Sequence, residues 1–490
     1  MNDDRIYSGA SAAEVRRDLE PLVDFKREGM ALDTLEALLR QRLLPHLMSY
    51  DRPGFQSLFN TLPEAGARMG GRLALETNQG VTNWIVSPGG ATLEELCAGA
   101  LCRLFGLGPE ADATFMVSGT YANQQALYLA LHAAAERLGF DFAQTGFRAL
   151  TGIKPLAAAA SVDAHFSIRH AARMLGLGEE GLIALPVDGR RRIDADRMAR
   201  LLDEAARERT VFCVVATAGT TATGAVDPLD RIADYCGGRG IWLHADAAYG
   251  LAYKLVPDRA PLFRGIERAD SVTWDPHKQM GVPIPNSVLF CRRGREFARM
   301  SVHSGYFNRR EDAEPNPGLK SPPTTRPFSA LPLVASLLHQ GLDAATARLA
   351  APLAAIARFY DHCRAQPDVE TVHAPDTGIL CFRVVPPGVP GERLDDLQNF
   401  VHREICAGGR RSISMTRLDG RTVLRVVAVS PAVTFEALLE TLAEIRAVAQ
   451  RCGRPEGGGG SWLSIGTFSD SRPSPTTARP GSGASRPRPI

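Results

Sequence analysis

Residues Ser271 to Cys291 read SVTWDPHKQMGVPIPNSVLFC, and the fold turns on how that stretch divides. Ser271 to Trp274 has the β-rich, apolar character of a short buried strand. Asp275-Pro276-His277-Lys278 breaks it, and Asn286 to Cys291 reads as the next strand. A lysine at a strand end, framed by Trp274, Met280 and Val282, has little water to hold its charge. A neutral amine is the nucleophile that condenses with an aldehyde. Taken alone, the stretch also suits a surface turn carrying one solvated lysine.

About 30 residues upstream, Ile241 to Gly250 reads IWLHADAAYG, an apolar run that meets a carboxylate at Asp246. Open α/β sheets place ligand chemistry at the carboxyl ends of their strands, where Asp246 is expected. A buried carboxylate is costly without compensation, so Asp246 is expected to face a cation. Pyridoxal phosphate needs both groups: a lysine for its aldehyde and an acid to keep its pyridinium nitrogen protonated. D-A-A-Y-G followed by D-P-H-K at this spacing resembles the pyridoxal-phosphate-dependent group II amino-acid decarboxylases, and Asp275 to Pro285 is similar to the archaeal tyrosine/aspartate branch. The resemblance runs from about residue 50 to about residue 450. It implies an α/β fold of the aspartate-aminotransferase-like type I class, with a large, mostly parallel sheet and a small C-terminal α/β domain.

Composition agrees with such an enzyme. The chain has 490 residues, enough for two or three domains, and at 44% hydrophobic and 22% charged it can build a large core. A net charge of +2 supplies no field that would call for nucleic acid or a membrane surface. No apolar run approaches the ~20 residues of a membrane span, and MNDDRIYSGA is too polar for a signal peptide. Nine cysteines without a C-x-x-C pair, several in apolar segments (Cys97, Cys213, Cys291, Cys381), read as reduced thiols of a cytoplasmic protein. No Cys/His group has metal-ligand spacing, so no metal is expected; His244 and Asp246 fit the cofactor better.

In chain order, Ser11 to Met48 carries two helical stretches, with Leu35, Leu38, Leu39 and Leu43 at helical spacing. The resemblance makes this a clasp on a second subunit, and a helix packed on its own domain is the alternative. Phe55 to Asn60 and Glu76 to Glu95 resemble the substrate side of glutamate and cysteine-sulfinate decarboxylases. Gln56-Ser57 there stands in place of the family's Asn-Gln pair, and a helix is expected from Thr92 to about Phe105. Ala113 to Thr120 is read as a strand and small-residue turn before a helix from Tyr121 to Leu138, an anion site made of free N–H groups and a positive dipole end. Ser118-Gly119-Thr120-Tyr121-Ala122-Asn123 occupies the family's G-G-T-E-A-N position. Strands are read at Ala157–Val162, Leu182–Pro186 and Val211–Ala218, with helices opening at Ala164-His165-Phe166-Ser167, spanning Asp194 to Glu208, and starting at Asp227-Pro228-Leu229.

After Lys278, the proline- and charge-rich stretch from Ser301 to Leu333 reads as a lid. A helical bridge from Leu331 then leads to strands at Ile379–Val385 and Val423–Val427, flanked by helices at Arg393–Ala407 and Thr434–Ala449. The domains expected are 1–60 (N-terminal helical segment), 61–335 (large domain), 336–452 (small domain) and 453–490 (a Gly/Ser/Pro-rich disordered tail).

The resemblance assigns the roles. Lys278 would carry the cofactor as a Schiff base, and Asp246 would pair with its ring nitrogen. His165 would stack on the ring, with Thr217, Ala248 and Asp275 around it. Ser118, Gly119, Thr120 and His277 would anchor the phosphate. Arg425 would bind the substrate α-carboxylate, for which its planar fork is suited. Tyr306 would return the proton to the α-carbon, from its own chain or from the partner of a homodimer with the site at its interface; Arg326 matches a family arginine with no assigned role. The expected activity is α-decarboxylation of an L-amino acid, with acidic substrates (aspartate, glutamate, cysteine sulfinate) placed first. Aromatic or diamino substrates, a pyridoxal-dependent carbon–carbon lyase and a non-catalytic cofactor-binding paralogue are the alternatives.

Overall fold

A computed structural model describes residues 5–150, 152–304, 308–309 and 313–452. Tyr306 and the 453–490 tail lie outside the described residues.

Short apolar runs separated by helices build the larger sheet, because parallel neighbours need a crossover between them. Its strands are β1 (Asp112–Met116), β2 (Leu156–Ser161), β3 (Leu182–Leu185), β4 (Thr210–Thr217), β5 (Trp242–Asp246), β6 (Ser271–Trp274) and β7 (Ser287–Cys291). Their order is β1-β7-β6-β5-β4-β2-β3. Strands β3, β2, β4, β5 and β6 run parallel, while β7 is antiparallel to both β6 and β1. The reversal follows from the connection: β6 reaches β7 through the 275–286 loop with no crossover helix, so that loop turns back at the sheet's carboxyl edge. Every residue of β5, β6 and β7 is buried, as covering on both faces requires.

The helix Gly119–Arg137 lies against this sheet, with thirteen buried residues that include Ala122, Ala126, Ala130 and Ala134. Small side chains on several faces let it sit close, which a one-sided apolar stripe would not. The helix expected from Thr92 begins earlier, spanning Pro88–Leu104. Proline suits that first turn, where no N–H is needed.

A second, antiparallel sheet contains β8 (Val369–Thr371), β9 (Ile379–Val384), β10 (Ser414–Leu418) and β11 (Arg421–Val427), in the order β10-β11-β9-β8. Strands β9 and β11 match the sequence expectation; β8 and β10 are additions, short and partly exposed at the sheet edges. The helices Leu394–Ala407 and Phe435–Cys452 cover it. The bridging helix Ala330–Arg364 is broken at Gly341, whose φ of 70° is a left-handed conformation that glycine adopts without strain.

Near the N-terminus the helices Ala12–Leu19 and Leu32–Arg42 contain no buried residue. Beyond them the chain is stitched to the smaller sheet. Ser412 N–H donates to Gly54 O at 2.9 Å, Gln56 N–H to Ser412 O at 2.8 Å and Val427 N–H to Gln56 O at 2.8 Å. This stitching carries residues 57–61 to the carboxyl edge of the larger sheet.

Candidate active site

Parallel pairing sets Thr217 opposite Asp246 and Asp246 opposite Thr273, so β4, β5 and β6 end side by side. Asp246 is 5% exposed. Its Oδ2 accepts from Asn123 Nδ2–H at 2.8 Å and its Oδ1 from Ala248 N–H at 3.2 Å. Among the described residues no side-chain cation pairs with it; neutral N–H donors hold it. The carboxylate keeps lone pairs for one further donor.

The loop after β6 folds back on itself. Lys278 Nζ lies 3.0 Å from Asp275 Oδ2, and Asp275 Oδ1 takes the Ser287 hydroxyl at 2.6 Å. The surroundings are therefore less apolar than Trp274, Met280 and Val282 implied, because the i, i+3 turn brings its own acid to the amine. His277 donates through Nδ1 to Asn286 O at 2.6 Å, and burial pushes its imidazole below the usual histidine range. Gly119 meets this loop closely: a Cβ there would come within 2.7 Å of Asp275 Oδ2. Ser118 caps the helix by accepting from Tyr121 N–H at 3.3 Å, and both Ser118 and Thr120 remain partly exposed beside Gly119.

His165 caps the helix Phe166–Met174, its Nδ1 accepting from Ser167 N–H at 3.2 Å. Burial lowers its pKa, opposed by the nearby Asp246 and reinforced by Lys278, so the imidazole shares a field with both. Thr217 Oγ1 is buried with no hydrogen-bond partner.

Arg425, in β11, reaches the same place from the smaller sheet. Its guanidinium carbon lies 5.3 Å from the Phe59 ring centre, and Lys278 Nζ lies 5.4 Å from that same centre. The expected alternative was an exposed strand arginine, but Arg425 is 4% exposed and burial lowers its pKa. Nη1 donates to Ser57 O at 3.0 Å and to Ser414 Oγ at 2.6 Å, while Nε and Nη2 have no partner.

Several functional positions escaped the sequence analysis. Phe59, packed 4.5 Å centre to centre on Tyr249, is the phenylalanine that faces the site. Phe55 is buried elsewhere, and Gln56 spends its amide on Pro53 O at 2.9 Å. Asn60-Thr61, not Gln56-Ser57, thus follow the site phenylalanine, and Thr61 donates to Lys278 O at 3.2 Å. Asn123 was visible within the quoted turn motif, four residues after Gly119 and so on the same helix face, yet carried no assignment.

Pyridoxal phosphate fits these residues. An amine is available for its aldehyde at Lys278, an acid for its ring nitrogen at Asp246, an unpaired donor at Thr217 and an anion seat at the helix N-terminus. Comparison with known proteins agrees. The pyridoxal-dependent decarboxylase conserved domain matches residues 18–385. The L-2,4-diaminobutyrate decarboxylase of Rhizobium meliloti (strain 1021) is 30% identical over 451 residues, covering 91% of this chain and 88% of the relative. The cysteine sulfinic acid decarboxylase of Mus musculus is 30% identical over 409 residues, 80% of each chain. The crystal structure of mouse CSAD in apo form superposes with a TM-score of 0.83 at 26% identity, covering 91% of this chain and 94% of that one. Among the described residues no helix is long and apolar enough to cross a membrane. The expected fold type I architecture and cofactor hold, and the chain belongs to the pyridoxal-dependent decarboxylases, lyases that use pyridoxal phosphate to remove carbon dioxide from amino acids.

Proposed function

We propose that this enzyme decarboxylates a short L-amino acid with a polar side chain, with L-2,4-diaminobutyrate placed first. The observation that carries the carboxylate grip is Arg425, a buried guanidinium without a carboxylate and with two unpartnered nitrogens. Such a group is stable only if a ligand completes it, and an α-carboxylate matches its fork. The side-chain preference rests on the diaminobutyrate relative, which spans 91% of this chain. Acidic substrates stand second: their support is the cysteine sulfinic acid relative.

In this reading the Lys278 amine would hold the cofactor, with Asp275 as its counter-charge at 3.0 Å. The bound cofactor supplies an electron sink for the pair left when the carbon–carboxylate bond breaks. Asp246 would hold the cofactor's ring nitrogen, with Thr217, Ala248 and His165 among the residues that would hold its ring. Ser118, Gly119, Thr120 and His277 seat the phosphate. Arg425 would bind and orient the substrate carboxylate through its open nitrogens, and Phe59 beside it would keep water away. Tyr306, by resemblance to the family, returns the proton to the α-carbon.

We place the enzyme in the cytoplasm as a homodimer. Eight cysteines among the described residues are free thiols, as a reducing compartment keeps them. Phe25 is 90% exposed and Leu32 80%, beside helices that bury nothing in their own chain; such apolar exposure suits a clasp on a second copy.

Carbon dioxide release and product identification across the twenty amino acids, L-2,4-diaminobutyrate, ornithine and cysteine sulfinate test this reading. The highest kcat/KM is expected for diaminobutyrate, with 1,3-diaminopropane as product. A higher value for cysteine sulfinate or aspartate would reverse the substrate order. An aldehyde fragment without carbon dioxide would restore the carbon–carbon lyase alternative, and a bound cofactor with no turnover would restore the non-catalytic one.

A further inference from the structure

Behind the site runs a chain of hydrogen bonds whose direction is set by its ends. Ser167 N–H can only donate, so His165 Nδ1, 3.2 Å away, is the bare nitrogen and the neutral ring's proton sits on Nε2. The Ser167 hydroxyl, 2.8 Å from the same Nδ1, must then donate to it, leaving its lone pairs to accept Asn123 Nδ2–H at 2.9 Å. That amide nitrogen also donates to Asp246 Oδ2 at 2.8 Å. Reversing the amide would point its oxygen at a carboxylate. The Asn123 oxygen therefore faces His244 Nε2 at 3.0 Å, which donates to it. His244 Nδ1 takes the Ser271 hydroxyl at 2.8 Å, and Ser271 Oγ takes Trp242 Nε1–H at 2.9 Å. Every partner from Trp242 to Ser167 is buried, and burial lowers the His244 pKa to about 4, so it stays neutral.

From this we infer that Asn123 is a positioning residue that sets two groups of opposite function with one amide. One N–H orients the charged Asp246 toward the cofactor's ring nitrogen. The other, accepted by the Ser167 hydroxyl, commits that hydroxyl to donate to His165 Nδ1, where it backs the Ser167 N–H in keeping Nδ1 bare and Nε2 protonated. His165 thus presents an N–H donor to the site while remaining uncharged, beside a carboxylate that would otherwise draw a second proton to it. The inference rests on the roles proposed above for Asp246 and His165. The wiring also accounts for the spacing of His244 and Asp246: residues two apart on a strand face the same side, and Asn123 lies between their tips.

The two arms can be separated in the full-length protein. For Asn123→Ala, the pyridoxal phosphate dissociation constant, read by fluorescence on the apo-enzyme, should rise roughly 10- to 100-fold, the loss expected for one hydrogen bond to a charged group. For Ser167→Ala the same constant should stay within about twofold, because the Asn123–Asp246 bond remains. Its long-range 1H–15N imidazole spectrum should instead show His165 Nδ1 still unprotonated, held by the backbone N–H of residue 167, but shifted downfield as it loses one of its two donors, a change that should also appear for Asn123→Ala. Asp246→Asn is the control for the underlying reading. If Asp246→Asn weakens cofactor binding and Asn123→Ala does not, the positioning inference is wrong. If neither does, the role of Asp246 is wrong and the inference falls with it. An unchanged His165 spectrum in both Asn123→Ala and Ser167→Ala overturns the second arm. Should Asn123→Ala not fold, Asn123→Ser, which keeps one donor, replaces it with the same two readouts and a smaller expected rise.

Discussion

Arg326 and Arg425 are each 4% exposed, yet their surroundings differ in one respect that separates support from function. Arg326, behind the larger sheet, has every nitrogen engaged: Nε with Val81 O at 3.0 Å, Nη1 with Ser321 Oγ, and Nη2 with the Glu94 carboxylate and Thr114 Oγ1. Arg425 binds a carbonyl and a hydroxyl through one nitrogen, and its other two nitrogens bind nothing. Burying a guanidinium is expensive, and a protein recovers that energy internally only by saturating it with partners. Arg326 is saturated and so belongs to the fold. Arg425 is left incomplete, which makes sense where a ligand supplies the missing acceptors. Asp246 sits between the two, held by two neutral N–H donors with capacity for one more.

The largest effect that tests this contrast is on stability. Arg326→Met strands Glu94, already pushed above the usual carboxylate range by burial, without its cation. Unfolding by urea should show a loss of about 3–5 kcal/mol, the cost of leaving one member of a buried pair behind. A loss under about 1 kcal/mol would make the pair dispensable. Arg425→Met should do the reverse. Its kcat/KM should fall roughly 100-fold as the bidentate carboxylate contact disappears, while the urea midpoint holds or rises because an unsatisfied buried charge is gone. A clear stability loss in Arg425→Met would move Arg425 into the structural class with Arg326.

The smallest effect concerns a third buried charge. Asp227 accepts from Thr217 N–H and Ile193 N–H, both at 2.7 Å, and burial outweighs those donors, raising its pKa from 3.8 to about 7. The folded state therefore binds this proton more tightly than the unfolded chain. The stabilisation is complete below about pH 3.8 and is lost as pH rises to about 7. Asp227→Asn removes that titration, so its urea midpoint should fall less steeply between pH 5 and pH 7, by up to about 1 kcal/mol per pH unit. Equal slopes in both proteins would mean that neutral N–H donors suffice to keep this buried acid ionised.

Much of the larger sheet was legible because its strands are apolar runs closed by turn chemistry. Trp242–Asp246, Ser271–Trp274 and Thr210–Thr217 all begin and end within a residue or two of expectation. The smaller sheet was half legible. Strands β9 and β11 are buried runs, but β10 is Ser414–Leu418, an edge strand too polar to register. Its one local signal was Asp419-Gly420, with φ of 50° and 76°, a hairpin turn that binds β10 to β11. The substrate side was misregistered for a similar reason. Phe55 and Phe59 look alike in sequence, and the pairing of residues 54–56 with Ser412 and Val427 is what sends Phe55 into the core and Phe59 to the site.

The identity of the chemistry lay in the sequence alone: a lysine and an acid at neighbouring strand ends are local features, fixed by where each apolar run stops. Tertiary structure decided what those groups meet. Asn123 reaching Asp246 across 123 positions and Arg425 arriving from another sheet with two nitrogens unmatched are long-range contacts. No local pattern encodes them, because hydrogen-bond saturation is a property of the space around a side chain and not of its neighbours along the chain.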